Sequence, residues 1–191
     1  MKNEGMKKFV TVLAKVLEVF HWVGSALTAL GVFFIAIGRL DALRFVTDAN
    51  ETMPEISDGV FFVDLTGLSQ EQVRTVFLVF FVALLFTMIL TAMIFRNIYL
   101  VFKTAAGETK FSKGRTPFQP DIVRMIREIG IFAIACPVID MIASIVLQIA
   151  IGDALEASVS FSGVVFGLVI LCLSEFFQYG AKLQEENDGL L

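Results

Sequence analysis

Asp140 is the residue of this chain best placed to do chemistry. It stands near the centre of an apolar run, residues 129–151, with no basic residue at its depth in any similar run. A charged side chain at the middle of a bilayer costs about 2.5–3.5 kcal/mol on insertion scales, so an intramembrane acid is a functional candidate by default. Two uses fit: a proton carrier or cation ligand, or a carboxyl that hydrogen-bonds a neighbouring helix, for which Thr28, Thr87 and Thr91 lie at similar depth. Pro137, one turn earlier, leaves a carbonyl without its helical donor.

A second constellation gathers His21, Glu18 and Glu175, each toward one end of an apolar run, with Arg96 slightly beyond. Glu18 lies three residues before His21, on the same helical face. A histidine with two carboxylates can hold a metal weakly or respond to pH. The same residues also make an ion-pair cluster closing the inner end of a bundle, Arg96 bending its long side chain toward Glu175. Cys136 and Cys172 fall within apolar runs and read as small apolar residues rather than nucleophiles or a disulfide. The chain has no H-E-x-x-H, G-x-S-x-G, C-x-x-C or phosphate-binding loop, and its single histidine excludes a multi-histidine metal site. No catalytic residues, metal or cofactor are expected, and the chain does not read as an enzyme.

The elements that must position these groups follow from composition. Of 191 residues, 57% are hydrophobic and 18% charged, with 20 Phe against 2 Tyr and 1 Trp. Ordinary globular domains are about 45–50% apolar and about 25% charged, so the excess indicates a membrane protein. A net charge of −4 speaks against a basic nucleic-acid surface. Crossing a bilayer takes about 20 apolar residues in a helix, and four stretches qualify: 16–37, 76–98, 129–151 and 159–179. The expected fold is all-α: a single integral membrane four-helix transmembrane bundle, with a long outer loop (39–73) between helices 1 and 2 and an inner loop over 99–128. The first stretch is too long for a signal-peptide core, and Gly38-Arg39-Leu40-Asp41 reads as a helix exit.

Charge sorts the two sides. The N-terminal segment carries Lys2, Lys7, Lys8 and Lys15, and the inner loop region Arg96, Lys103, Lys110, Lys113, Arg115, Arg124 and Arg127. The outer loop region has only Arg39, Arg44 and Arg74 against seven acids, and the connection at Asp153 and Glu156 has no basic residue. The excess of Lys and Arg marks the cytoplasmic side, giving an N-in/C-in topology.

Within the outer loop, Val60–Val63 follows an Asp-Gly turn signal and reads as a strand or a surface-lying segment. Ser69 and Gln72 have capping-box spacing, so helix 2 begins before its apolar run. Asn50-Glu51-Thr52 matches a glycosylation acceptor, a triplet common by chance. In the inner loop, Gly114 to Phe118 is a turn and Pro120 suits a first helical turn. Ile122, Val123, Met125, Ile126 and Ile129 then recur at helical spacing, either as an amphipathic lead-in on the membrane surface or as a plain extension of helix 3. Gly24, Gly31 and Gly38 repeat every seven residues, and Gly163 and Gly167 form a G-x-x-x-G extended by Ser160. Small residues let helix backbones approach in lipid, within a monomer or between copies.

Two segments carry a family resemblance. One is Lys113-Gly114-Arg115-Thr116-Pro117-Phe118 with Ile126-Arg127-Glu128-Ile129-Gly130; the other is Leu173-Ser174-Glu175-Phe176-Phe177-Gln178-Tyr179-Gly180 with Leu183 to Leu190. Together with four spans they resemble a bacterial membrane-protein family, domain-of-unknown-function family 2975. Gln119 departs from that family's helix-capping Ser or Thr. The resemblance implies a multi-pass protein of the bacterial cytoplasmic membrane and supplies no catalytic residues.

The function expected is therefore that of a non-enzymatic membrane protein acting by interaction, as an accessory or regulatory subunit, or as a self-protection or sensory component. Its partners would be the lipid bilayer and a membrane protein or a second copy of itself, and not nucleic acid. The alternative is a small oligomeric proton-coupled transporter or channel using Asp140. A weaker third reading has the outer loop bind an external ligand.

Overall fold

The computed structural model describes residues 2–38, 55–57, 61–65, 68–112, 116–152, 155–157 and 161–188. Four long helices dominate: α1 (Lys2–Ala36), α2 (Gln70–Ala105), α3 (Pro120–Ile151) and α4 (Ser162–Asp188). All four are long and apolar enough to cross a membrane, and the chain is a multi-pass membrane protein. Each outruns its apolar stretch because helix geometry tolerates the polar flanks. The last starts later than expected: Ser162 is its first residue, and Val159 and Ser160 lie outside the described residues.

The helix boundaries have local causes. Ser69 and Gln72 make the reciprocal capping box that opens α2: the Gln72 amide donates to Ser69 Oγ (3.3 Å) and the Ser69 amide to Gln72 Oε1 (3.0 Å). Its other end closes in a Schellman motif, the Glu108 amide reaching the Lys103 carbonyl and the Gly107 amide the Thr104 carbonyl. That geometry requires a left-handed residue, and Gly107 has φ 81°. Gly38 (φ 69°) ends α1 in the same backbone region, and a Cβ there would touch nothing among the described residues. Gly38 thus serves as the helix stop, and no packing contact for it falls among the described residues. Arg39 to Asp41, the Asn50 triplet and Gly114 lie outside the described residues.

The chain forms two compact units. Unit 1 comprises Met1–Trp22, Ile89–Ala135 and Ser162–Leu191, and so contains both termini and the α2–α3 connection. Within it, Ile122, Val123, Met125, Ile126 and Ile129 are buried. The amphipathic lead-in is thus a continuous part of α3 whose apolar face is covered by protein rather than laid on a membrane surface.

Unit 2 comprises Val23–Met88 and Cys136–Phe161. The all-α expectation needs one addition here. Three short strands, β1 (Glu55–Ser57), β2 (Phe61–Asp64) and β3 (Leu155–Ala157), form an antiparallel sheet in the order β1-β2-β3. Ile56 pairs with Val63, and Val63 with Leu155. The strand alternative for the Val60–Val63 run therefore holds over Phe61–Asp64. Val63 of β2 and Leu65, just past its end, are buried with Val76, Leu147 and Ile151. Phe77, Phe80 and Ala150 pack around this cluster.

Candidate interaction site

In unit 1 the α2–α3 connection is folded against the end of α4. Phe118 sets its ring 5.7 Å from that of Phe177. Gly180 leaves the space: a Cβ there would lie 2.5 Å from Phe118 Cδ1. Thr116 Oγ1 donates to Gln184 Oε1 (2.8 Å), and the Phe118 amide donates to Thr116 Oγ1 (3.2 Å). Gln119 is buried, its Nε2 donating to the Thr116 carbonyl (2.6 Å), while its own carbonyl accepts from Val123. It thereby holds the turn from which α3 starts at Pro120. The start of the same connection is also fastened. Thr104, fully buried, shares a hydroxyl–hydroxyl hydrogen bond with Thr109 (2.8 Å) and accepts one from Ser112 at its carbonyl (2.9 Å).

Below this turn, polar side chains link three helices. Asn97 of α2, buried, donates to Glu128 Oε2 of α3 (2.9 Å), and Arg124 lies 3.7 Å from both Glu128 and Asp121. Arg127 of α3 donates to Glu175 (3.3 Å) and Gln178 (2.9 Å) of α4. Glu175 thus finds Arg127, whereas sequence reasoning pointed to Arg96. Helix rotation explains it: Arg127, Gly130 and Ile134 lie on one face of α3, and Gly167 and Leu171 face them from α4. The Glu175 side chain is 68% exposed, so this ion pair sets orientation more than stability.

The backbones of α3 and α4 touch at two glycines. A Cβ on Gly167 would lie 2.7 Å from the Gly130 carbonyl oxygen and 2.5 Å from Ile134 Cγ1. A Cβ on Gly130 would lie 3.0 Å from the Gly167 carbonyl and 2.8 Å from Leu171 Cγ. Of the G-x-x-x-G pair, Gly167 makes this contact within the chain, and Gly163 is half-buried one turn away. In unit 2, Gly24 and Gly31 face side chains of α2, with Met88 Sδ 3.5 Å and Phe81 3.4 Å from a built Cβ.

The constellation of His21, Glu18, Glu175 and Arg96 divides. Buried Glu18 is bound by Lys15 Nζ (2.9 Å). His21 Nδ1 lies 2.7 Å from the Leu17 carbonyl, which only accepts, so this nitrogen carries the proton. The ring rests 5.3 Å from Phe95. Arg96 is exposed. Among the described residues no group of three His, Cys, Asp or Glu side chains could hold a metal ion.

In unit 2, Asp140 is half-buried on the stripe that continues through Ala143, Leu147 and Ile151, away from the exposed face of Met141, Ile142 and Ile145. Its carbonyl accepts from Ser144 (2.9 Å). Thr28 bonds its own helix at Gly24 (2.9 Å), while Thr87 Oγ1 is buried with no partner among the described residues. A groove of about 360 Å³ between α2 and α3 is lined by Val79, Val82, Phe86, Ile139 and other apolar residues. Cys136 and Cys172 form no disulfide among the described residues.

Sequence reasoning missed Arg74, Asn97 and Arg127 as positioning groups. Arg74 of α2 donates to the Ile35 (3.2 Å) and Ala36 (2.5 Å) carbonyls, satisfying the open end of α1. The available signal was one of face: Arg127 lies one turn before Gly130, and Asn97 is an amide inside a cationic segment. No protein-family model, curated protein or solved structure matches this chain.

Proposed function

We propose that the chain is a non-enzymatic membrane protein that acts by interaction, as an accessory or regulatory subunit of a membrane assembly. Its working surface is the loop and tail of unit 1. The observation that carries this reading is the docking of Thr116 and Phe118 onto Gln184, Phe177 and Gly180. Ordering a loop costs about 1–2 kcal/mol of backbone entropy per residue, and here aromatic and hydrogen-bonded contacts offset it outside the apolar spans. The result is a fixed polar face carrying Arg124, Arg127 and Gln178. The glycines that sequence reasoning offered to an oligomer are met within the chain at Gly24, Gly31 and Gly167, which favours the loop–tail face for contact with a partner or a second copy.

The distribution of Lys and Arg supports an N-in/C-in topology, with this face in the cytoplasm. The resemblance to the bacterial family supports the bacterial cytoplasmic membrane as its location. Gentle extraction at native expression, followed by crosslinking, should recover a partner or a self-associated form. Phe118→Asp should abolish that association while leaving insertion intact. A monomer with no co-purifying protein would remove the reading.

A second reading, a proton-coupled transporter, is favoured by one observation: Asp140 lies on the inward stripe of α3. In reconstituted vesicles Asp140→Asn should then end proton-coupled flux without unfolding the chain, and unchanged flux would eliminate it.

A further inference from the structure

Unit 1 holds a second polar feature that the loop–tail face does not use. The first turns of α1 and the last turns of α2 enclose a groove of about 540 Å³, within the size range of small-molecule sites. Lys7, Lys8 and Lys15 line it from α1, and Lys103 from α2. Between the lysines the lining is largely apolar, with Val12, Val16 and Phe102. Tyr99 stands at the boundary, with Lys15 Nζ 5.2 Å from its ring centroid.

We infer that this groove binds the phosphate headgroup of an anionic phospholipid, with the start of an acyl chain along Val12, Val16 and Phe102. Position argues for it. Val16 begins the first apolar stretch and Tyr99 follows the end of the second, so the groove straddles the edge of the hydrocarbon. At about 1.5 Å per residue, Lys8 stands roughly 12 Å outside Val16 and Lys103 roughly 6 Å outside Tyr99. The ammonium groups thus climb from the hydrocarbon edge through the headgroup layer. A tyrosine at that edge is the expected interfacial anchor.

Charge argues for it too. Two carboxylates oppose the four lysines: Glu108 accepts a hydrogen bond from Lys103, and Glu18 pairs with Lys15. The groove therefore keeps a net charge of about +2, which suits one phosphodiester and attracts anionic lipid. An acidic protein segment would match the charge, but it would have no use for exposed apolar side chains at the hydrocarbon edge. Free phosphate would leave Val12, Val16 and Phe102 unoccupied. The inference rests on the membrane-spanning character of the helices and is independent of the partner proposed above.

The test uses the full chain, delipidated in mild detergent, with bound lipid counted by native mass spectrometry. At equal concentrations phosphatidylglycerol should be retained over phosphatidylcholine by on the order of tenfold. Lys7→Gln/Lys8→Gln/Lys103→Gln should erase that preference, and the matching triple Arg variant should keep it. A control, Lys110→Gln/Lys113→Gln/Lys182→Gln, removes equal charge elsewhere in unit 1 and should leave it unchanged. Millimolar inorganic phosphate and polyglutamate should fail to displace the lipid. Equal retention of both lipids by the parent chain overturns the proposal, as does equal loss in both Gln triples. Displacement by phosphate would make the groove a soluble-anion site, and displacement by polyglutamate a protein-docking site; either result overturns it.

Discussion

The crossing of α3 with α4 in unit 1 and that of α1 with α2 in unit 2 both use glycine, for different physical reasons. At Gly130 and Gly167 two backbones meet, and a Cβ on Gly167 would come 2.7 Å from a carbonyl that cannot move without its helix. At Gly24 and Gly31 the neighbour is the flexible Met88 or the ring of Phe81, at ordinary contact distance of 3.5 and 3.4 Å. The first crossing needs glycine, while the second only tolerates it. A small-residue spacing in sequence does not distinguish the two, because it records what is absent from one helix and nothing of what approaches it.

The largest effect should come from Gly167→Ala. Overpacking a closed contact costs about 1–3 kcal/mol, and Gly167 belongs at the upper end. Gly130→Ala should cost less, since Leu171 can turn aside more easily than a backbone. Thermal melts followed by circular dichroism in detergent check both, and an unchanged melting temperature for Gly167→Ala would erase the contrast between the crossings.

Next in size is Arg74→Ala, which removes two charge-assisted hydrogen bonds from the end of α1. The expected loss is about 1–2 kcal/mol. It should show as faster amide exchange over residues 33–38, with partial recovery in Arg74→Lys. Unchanged exchange there would mean that water caps α1 equally well.

Gly31→Ala should move the other way. The contact is ordinary and the helix gains propensity, so stability should rise by up to about 1 kcal/mol. A loss comparable to that of Gly167→Ala would show the α1–α2 contact to be as closed as α3–α4. The smallest change is Thr87→Val, which deletes a buried hydroxyl without a partner among the described residues. It should be neutral or stabilising by about 1 kcal/mol in the same melt, and destabilisation would reveal a partner for that hydroxyl.

Much of the fold was legible because its signals are local. Four apolar stretches of sufficient length became four helices, Ser69 and Gln72 capped α2, and Pro120 opened α3. The sheet was legible only in part. The Phe-Phe-Val run announced β2, but β3 is three residues long and owes its existence to pairing with β2. The candidate site was legible as two sequence segments, around Thr116–Phe118 and Phe177–Gln184, without any sign that they touch. Arg96 and Arg127 illustrate the limit. Arg127 of α3 reaches Glu175 and Arg96 of α2 is left exposed, because the rotation of each helix about its own axis decides which side chain faces α4.

The amino-acid sequence by itself determined the number of helices, the segregation of charge between their ends and the short set of polar groups left inside the apolar runs. These depend on length, hydropathy and composition, which are properties of each segment alone. Tertiary structure decided that Glu18 is bound by Lys15, that Gly167 lies against Gly130, that Thr116 and Phe118 of the α2–α3 connection rest on the end of α4, and that Asp140 takes the inward stripe of α3. Each of those depends on how far one helix is rotated and where it crosses another. No single helix encodes that, because it is set by the packing of all its neighbours together.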